Sequence, residues 1–277
     1  MLISEAVCGE HRPARPSAAA IELIHNFSLI HDDVEDRSPT RRGRPTVWKI
    51  WGEAQAINAG DTMFSLAHMA IPQLTPPDGD AAKTLALLKI LGETCLELTR
   101  GQHLDMAFET ADDIHPDGYI NMIEGKTAAL IAAAGQMGAL AGGADDARQE
   151  HYKQFGRNLG LAFQIIDDIL DIWGLPEKTG KQAAVDIHQR KKSLPVLYGL
   201  ERSEALRALY RQEEAFDLAD VERAVKLLGE TGAEEYSRDL AMQYSVATAA
   251  ALEHAGPDGE AGENLLKIVE MLLHRDY

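Results

Sequence analysis

Residues 160–174 read GLAFQIIDDILDIWG. Three acids, Asp167, Asp168 and Asp171, sit among Phe163, Ile165, Ile166, Ile169, Leu170 and Ile172. At helical spacing Gln164, Asp168 and Asp171 lie near one stripe, and Asp167 flanks it. Carboxylates in apolar surroundings cost free energy unless a metal ion or cations compensate. The stretch therefore predicts a buried helix that carries a charged site inside it. An ordinary solvated face is the competing reading, and the isoleucines fit it poorly.

The rest of the chain agrees with helix. Alanine occurs 40 times and valine 9 times, a bias toward helix over sheet. Residues 78–115, 117–175 and 196–256 contain no proline, so each has room for one or more helices. We expect helices at about 17–35, 46–73, 80–110, 117–141, 145–173, 194–212, 218–229, 231–255 and 260–275. No Asn-Gly or Asp-Gly turn lies between alternating apolar residues, so hairpins are not expected. Long helices with short turns predict an all-α, single-domain bundle over residues 1–277. Its helices would be mostly antiparallel around a central cavity, with the site built from facing side chains.

Composition narrows the function. Asp plus Glu is 44 against 27 for Lys plus Arg, a net charge of -17. Such a chain is a poor general partner for nucleic acid or anionic membrane. Cys8 and Cys95 have no zinc-ligand spacing and no disulfide framework around them. The opening MLISEAVCGEHRPARPS lacks a basic start before an apolar core, so the expected location is cytoplasmic. Residues 127–144 carry no charge but are mainly Ala and Gly, which predicts a closely packed helix rather than a membrane span.

A second acid cluster lies in HNFSLIHDDVEDRSPTRRGRPT, residues 25–46. Asp32 and Asp36 are four apart and share a helix face, with His25 on the same stripe. Carboxylates one turn apart repel unless something cationic joins them. Oxygen-only ligands suit Mg²⁺, which keeps waters and bridges to phosphates. Arg37, Arg41, Arg42 and Arg44 follow, and arginine suits forked phosphate contacts. The alternative is an acidic helix end salt-bridged to a basic loop on the surface. Basic residues also follow the later cluster: Lys178, Lys181, Arg190, Lys191 and Lys192. Acids followed by cations, twice, point to a phosphate-ester site.

This pattern resembles the trans-type isoprenyl diphosphate synthases, also called polyprenyl synthetases. DDVED and DDILD are similar to the family's two aspartate-rich motifs. AINAGD (56–61), GQHLDM (101–106), EGKTAALI (124–131) and GKQAAVDIHQRKKSLPVLYGL (180–200) resemble further family segments in the expected order, as does the closing LLHRDY. The resemblance spans nearly the whole chain and implies the isoprenoid synthase fold. It also implies a prenyltransferase, with isopentenyl diphosphate and an allylic diphosphate as substrates, and a homodimer.

The resemblance implies roles. Asp32 and Asp36 would hold two Mg²⁺ ions and Asp167 a third, with Asp33, Asp168 and Asp171 completing or supporting the shells. Arg41, Lys126, Lys181 and Lys191 would bind the allylic diphosphate, with Thr127 and Gln164 beside it. His25 and Arg42 would bind isopentenyl diphosphate. Asp61 and Asp105 would support by hydrogen bonding. His31, His68, His103 and His188 are expected to be structural. Phe27, five residues before Asp32 and so about 7.5 Å back along a helix, would close the floor under the growing chain, with small Ser28 beside it. A bulky residue there with an uninserted motif resembles the geranylgeranyl (C20) type, with farnesyl (C15) next.

Two departures accompany the resemblance. The family's further N-terminal helix and its Gly-Lys-Arg segment are expected to be missing, which would leave fewer cations for isopentenyl diphosphate. Arg190 stands where a small glycine is usual, either adding a phosphate contact or pointing to solvent. A non-catalytic partner subunit is therefore a competing reading. A class I terpene cyclase is another, opposed by DDILD, since cyclases generally carry an Asn/Ser/Glu triad there.

Overall fold

The computed structural model describes residues 1–74, 79–111, 114–174 and 184–273. The described residues are all-α apart from one short hairpin. Two compact units divide it: Met1–Leu96 with Ala133–Lys153 and Ala255–Asn264, and Glu97–Ala132 with Gln154–His254 and Leu265–Tyr277. The division falls inside helices, so each unit draws on segments distant in sequence.

In the first unit, α1 (Leu2–Cys8) ends at Gly9, whose φ of 78° closes the helix in the left-handed region. Helix α2 (Arg15–Glu35) starts with Pro16 in its first turn, where a missing N–H costs nothing. The expected helix 46–73 is two helices, α3 (Val47–Trp51) and α4 (Glu53–Leu74). Gly52 separates them at φ 86°, ψ 161°, a conformation in which only glycine is unstrained. Helix α2 packs along α4, and Ile24, Ala56, Ala67 and Ile71 are fully buried. The expectation of no hairpin was incorrect: Thr40–Arg41 pairs antiparallel with Arg44–Pro45. Its two-residue turn needs positive φ at both positions. Gly43 supplies one at 73°, and Arg42 takes the other at 52° instead of an Asn or Asp.

Helix α5 (Ala81–Thr110) forms as expected. The expected helix 117–141 is α6 (Pro116–Ile123), a π-helical turn (Glu124–Ala128) and α7 (Ala129–Gly142). Helix α8 (Asp146–Trp173) carries the DDILD stretch. The small residues of 127–144 do permit close packing: a methyl on Gly135 would sit 2.3 Å from the carbonyl oxygen of Tyr152. No helix among the described residues is long and apolar enough to cross a membrane.

The second unit adds α9 (Val185–His188), α10 (Leu194–Arg202), α11 (Glu204–Tyr210), α12 (Leu218–Glu230), α13 (Ala233–Ala255) and α14 (Gly259–Leu273), the last two belonging to it in part. The expected helix 194–212 breaks at Ser203, which turns extended and accepts from the Leu206 N–H as the cap of α11. Asp217 and Asp220 form a reciprocal capping box on α12. Tyr119, Met122 and Ile123 of α6 pack with Leu161, Ile165, Ile166 and Ile169 of α8 and with Leu194 and Leu197 of α10. The isoleucines flanking the acids are thus core, as the sequence predicts.

Candidate active site

The first acid cluster closes α2. Asp33 is 4% exposed. Arg41, on the hairpin, forks across two carboxylates: Nε donates to Asp33 Oδ1 and Nη2 to Asp32 Oδ2, each at 2.8 Å. The loop between them is tied down. Ser38 N–H donates to the Asp33 carbonyl, and the Ser38 carbonyl accepts from Thr46 Oγ1 and Trp48 Nε1. Burial raises the Asp33 pKa, while the Arg41 hydrogen bond and charge oppose that rise. The Arg41 pairing joins the acidic helix end to the basic loop, with Asp33 buried and Asp32 half-buried. Asp36 and Arg42 are exposed, and His25 is half-buried.

Phe27 lies edge-on to Phe64 of α4, with ring centroids 5.3 Å apart, and to His31 at 4.9 Å. Phe64 in turn contacts His68 at 4.5 Å. Ser28 spends its hydroxyl on the His25 carbonyl. Nothing in the local sequence marks Phe64 as a partner of Phe27, although it lies three residues past AINAGD. His31 Nε2 is 3.2 Å from the Ile57 carbonyl, and its ring lies against Gly60, where a methyl would come within 2.2 Å. That is a structural histidine, with exposed Asp61 3.7 Å away.

The second cluster lies wholly in the second unit. Asp168 is 2% exposed. Tyr119, itself 1% exposed, donates its hydroxyl to Asp168 Oδ2 at 2.5 Å. Gln164 Nε2 donates to Asp168 Oδ1 at 3.1 Å, and the Leu194 N–H reaches Oδ2 at 3.4 Å. Thr127 Oγ1 donates to Gln164 Oε1 at 3.0 Å, so the π-turn, α8, α6 and α10 meet in one chain of hydrogen bonds. Burial pushes the Asp168 carboxyl up to about 7 against the pull of Tyr119, Lys191 and Gln164. Asp171 accepts from the Asp186 N–H at 2.9 Å, and Asp167 is half-buried.

Lys126 projects from the π-turn, and π-turns often mark functional sites. It donates to Asp105 of α5. Glu124, the other acid near it in sequence, is held instead by Arg157 through two bonds of 2.6 and 2.7 Å. Lys191 Nζ lies 3.8 Å from Asp186 and is 44% exposed. Lys178, Lys181 and the last four residues lie outside the described residues.

These features match one family model, polyprenyl synthetase, over residues 1–228. The chain belongs to the polyprenyl synthetase family. A farnesyl diphosphate synthase of Mycobacterium tuberculosis H37Rv is 48% identical over 195 residues, 70% of this chain and 53% of that protein. The chain thus spans about half the length of that relative. The geranylgeranyl diphosphate synthase of the same organism is 40% identical over 276 residues, 98% of this chain and 77% of that protein. Among solved structures, a polyprenyl synthase of Caulobacter crescentus CB15, complexed with calcium and isoprenyl diphosphate, superposes with a TM-score of 0.84. It is 32% identical, and the match covers 99% of this chain and 82% of that one.

Within the family frame, each unit holds one acid cluster. The first unit brings together Asp32, Asp33 and Arg41, and the second brings together Thr127, Gln164 and Asp168. Tyr119 and Asp105 join the second unit's groups across 49 and 21 residues of sequence. Among the described residues no three His, Cys, Asp or Glu side chains converge to form a metal site by themselves. The donor chemistry fits Mg²⁺, which takes oxygen ligands, retains waters and bridges to phosphates.

Proposed function

We propose that this chain is a trans-prenyltransferase that condenses isopentenyl diphosphate with an allylic diphosphate. The observation that carries this reading is the second cluster. A carboxyl only 2% exposed, tied to a buried tyrosine and with a threonine and a glutamine strung onto it, is costly to stability and has no packing advantage over an apolar residue. Such a cost, in a chain whose named relatives make prenyl diphosphates, supports a chemical role.

Three Mg²⁺ would be held by Asp32 and Asp36 and by Asp167, and when bound they supply positive charge that offsets the diphosphate. Asp33, Asp168 and Asp171 orient the neighbouring groups through the bonds described above. Lys126, Lys181, Lys191 and Arg41 bind the allylic diphosphate, and each adds charge-assisted contacts as its bridging oxygen gains the electron pair of the breaking C–O bond. Thr127 and Gln164 flank the allylic carbons. His25 and Arg42 orient isopentenyl diphosphate so that its double bond attacks the allylic carbon, forming the new C–C bond. A proton then leaves the adjacent carbon for the released diphosphate. The chain works in this reading as one catalytic domain. A homodimer, the assembly general to the family, belongs to this reading.

The product proposed is geranylgeranyl diphosphate. The Phe27–Phe64 pair supports it, as does a geranylgeranyl synthase relative matching 98% of the chain. The farnesyl reading has its own support in the relative that is 48% identical over 70% of the chain. Incubation with Mg²⁺, isopentenyl diphosphate and dimethylallyl, geranyl or farnesyl diphosphate, followed by phosphatase and chromatography of the alcohols, tests both. A C20 alcohol is expected, and Asp32→Ala is expected to cut its yield by at least about 100-fold. Full activity in Asp32→Ala would sink the mechanism. Phe27→Ala removes one ring of the pair and is expected to shift the product to C25 and longer. An unchanged product length would remove Phe27 as the floor.

A further inference from the structure

Three consecutive cations, Arg190, Lys191 and Lys192, precede α10. They do not act alike. Arg190 donates through Nη1 to the Gln212 carbonyl at 2.7 Å and through Nη2 to the Glu214 carbonyl. Its guanidinium lies 4.5 Å from the centre of the Phe216 ring, a residue only 3% exposed. Lys192 donates to the carbonyls of Phe108, Glu109 and Ala111 at the end of α5. The outer two cations are therefore bound to backbone carbonyls of two different segments, the loop after α11 and the end of α5. Lys191, between them, faces Asp186 and keeps 44% of its side chain exposed.

The backbone at Arg190 has φ 57°, a left-handed conformation that favours glycine. Holding a non-glycine residue there costs free energy and requires compensation from its surroundings. Two carbonyl bonds and a cation–π contact supply it. Arg190 thus spends both terminal nitrogens on backbone carbonyls and lays its guanidinium over Phe216.

We infer that Arg190, with Lys192, is a positioning residue that fixes the segment carrying Lys191, so that the Lys191 ammonium is held in place for the allylic diphosphate. This rests on the proposed role of Lys191 in binding that diphosphate. A lysine ammonium on a flexible stem loses much rotamer freedom when it binds. Fixing its backbone on both sides removes part of the ordering cost from the binding step.

The test is calorimetric titration of the full chain with geranyl diphosphate in Mg²⁺, without isopentenyl diphosphate, so that no turnover is needed. Lys191→Ala is expected to weaken binding by about 10-fold or more, the loss of one charge-assisted contact. Arg190→Gly suits the φ, leaves the fold unstrained and releases the anchor; binding is expected to weaken by roughly 3- to 10-fold. Isopentenyl diphosphate affinity should stay within about 2-fold in both. The double variant should match Lys191→Ala alone, since Arg190 acts through Lys191. Phe216→Leu keeps apolar bulk, removes the cation–π contact and should weaken binding in the same direction; it carries the test if Arg190→Gly melts below the working temperature. Unchanged binding in Lys191→Ala overturns the role of Lys191 and this inference with it. Weakened binding there, with Arg190→Gly and Phe216→Leu both unchanged or with an additive double variant, overturns the inference alone.

Discussion

Asp168→Asn is expected to make the protein more stable at pH 8 and less active at the same pH. Burial raises the Asp168 carboxyl from 3.8 to about 7. A carboxyl raised in this way binds its proton more tightly in the folded state than in the unfolded one. Its contribution to stability is fully present below about pH 3.8 and is lost as pH rises through about 7. The loss is on the order of 4 kcal/mol between those limits. Asparagine stays neutral, so the difference in melting temperature between variant and wild type in EDTA should be small near pH 4 and grow toward pH 8 in favour of the variant. The cost to function comes from the hydrogen bonds. Tyr119 and Gln164 both donate to Asp168, and asparagine offers one acceptor oxygen in place of two. Gln164 then loses its fixed orientation beside Thr127, and turnover is expected to fall by about 10- to 100-fold. A variant less stable than wild type at pH 8 would mean that the hydrogen bonds, not burial, dominate the energetics of this site.

Gly101→Ala is expected to damage both stability and turnover, whereas Gly92→Ala on the same helix should be harmless. A methyl on Gly101 would lie 2.1 Å from the Lys126 nitrogen and 2.5 Å from the Gly125 carbonyl carbon. These are backbone atoms, so no side chain can swing away, and α5 must separate from the π-turn by about 1 Å. Overpacking of this kind costs about 1–3 kcal/mol. The displaced residues are Lys126 and Thr127, and a shift of about 1 Å in a positioning group costs on the order of 100-fold in rate. Gly92 has nothing within 4 Å of its added methyl, and alanine there should stabilise the helix by up to about 1 kcal/mol. Thermal melting and turnover of the two variants check the argument together. Equal effects at both positions would show that helix propensity, not the close approach, is what matters.

The helices themselves were legible because an α-helix is decided locally. Its hydrogen bonds close within four residues, and proline, alanine content and apolar spacing act over the same distance. The acid clusters were legible for the same reason: Asp32 with Asp36, and Gln164 with Asp168, are neighbours one turn apart. Breaks were less legible. The π-turn at Glu124–Ala128 leaves the apolar pattern running through it, and it exists where Gly101 and Gly125 bring two backbones together. Ser203 reads as an ordinary helical position until its hydroxyl is seen capping the next helix.

By itself the sequence determined an all-helical chain with two clusters of acids, each followed by cations, and the family to which those motifs belong. Only the tertiary structure decided which partners these groups take: Arg41 across Asp32 and Asp33, Tyr119 on Asp168, Asp105 on Lys126, Phe64 on Phe27, and backbone carbonyls on Arg190 and Lys192. The physical reason is range. Repeating spacings record which face a residue occupies on its own helix. Partners tens of residues apart are chosen by how helices cross and how closely their backbones approach, and no local window of sequence contains that information.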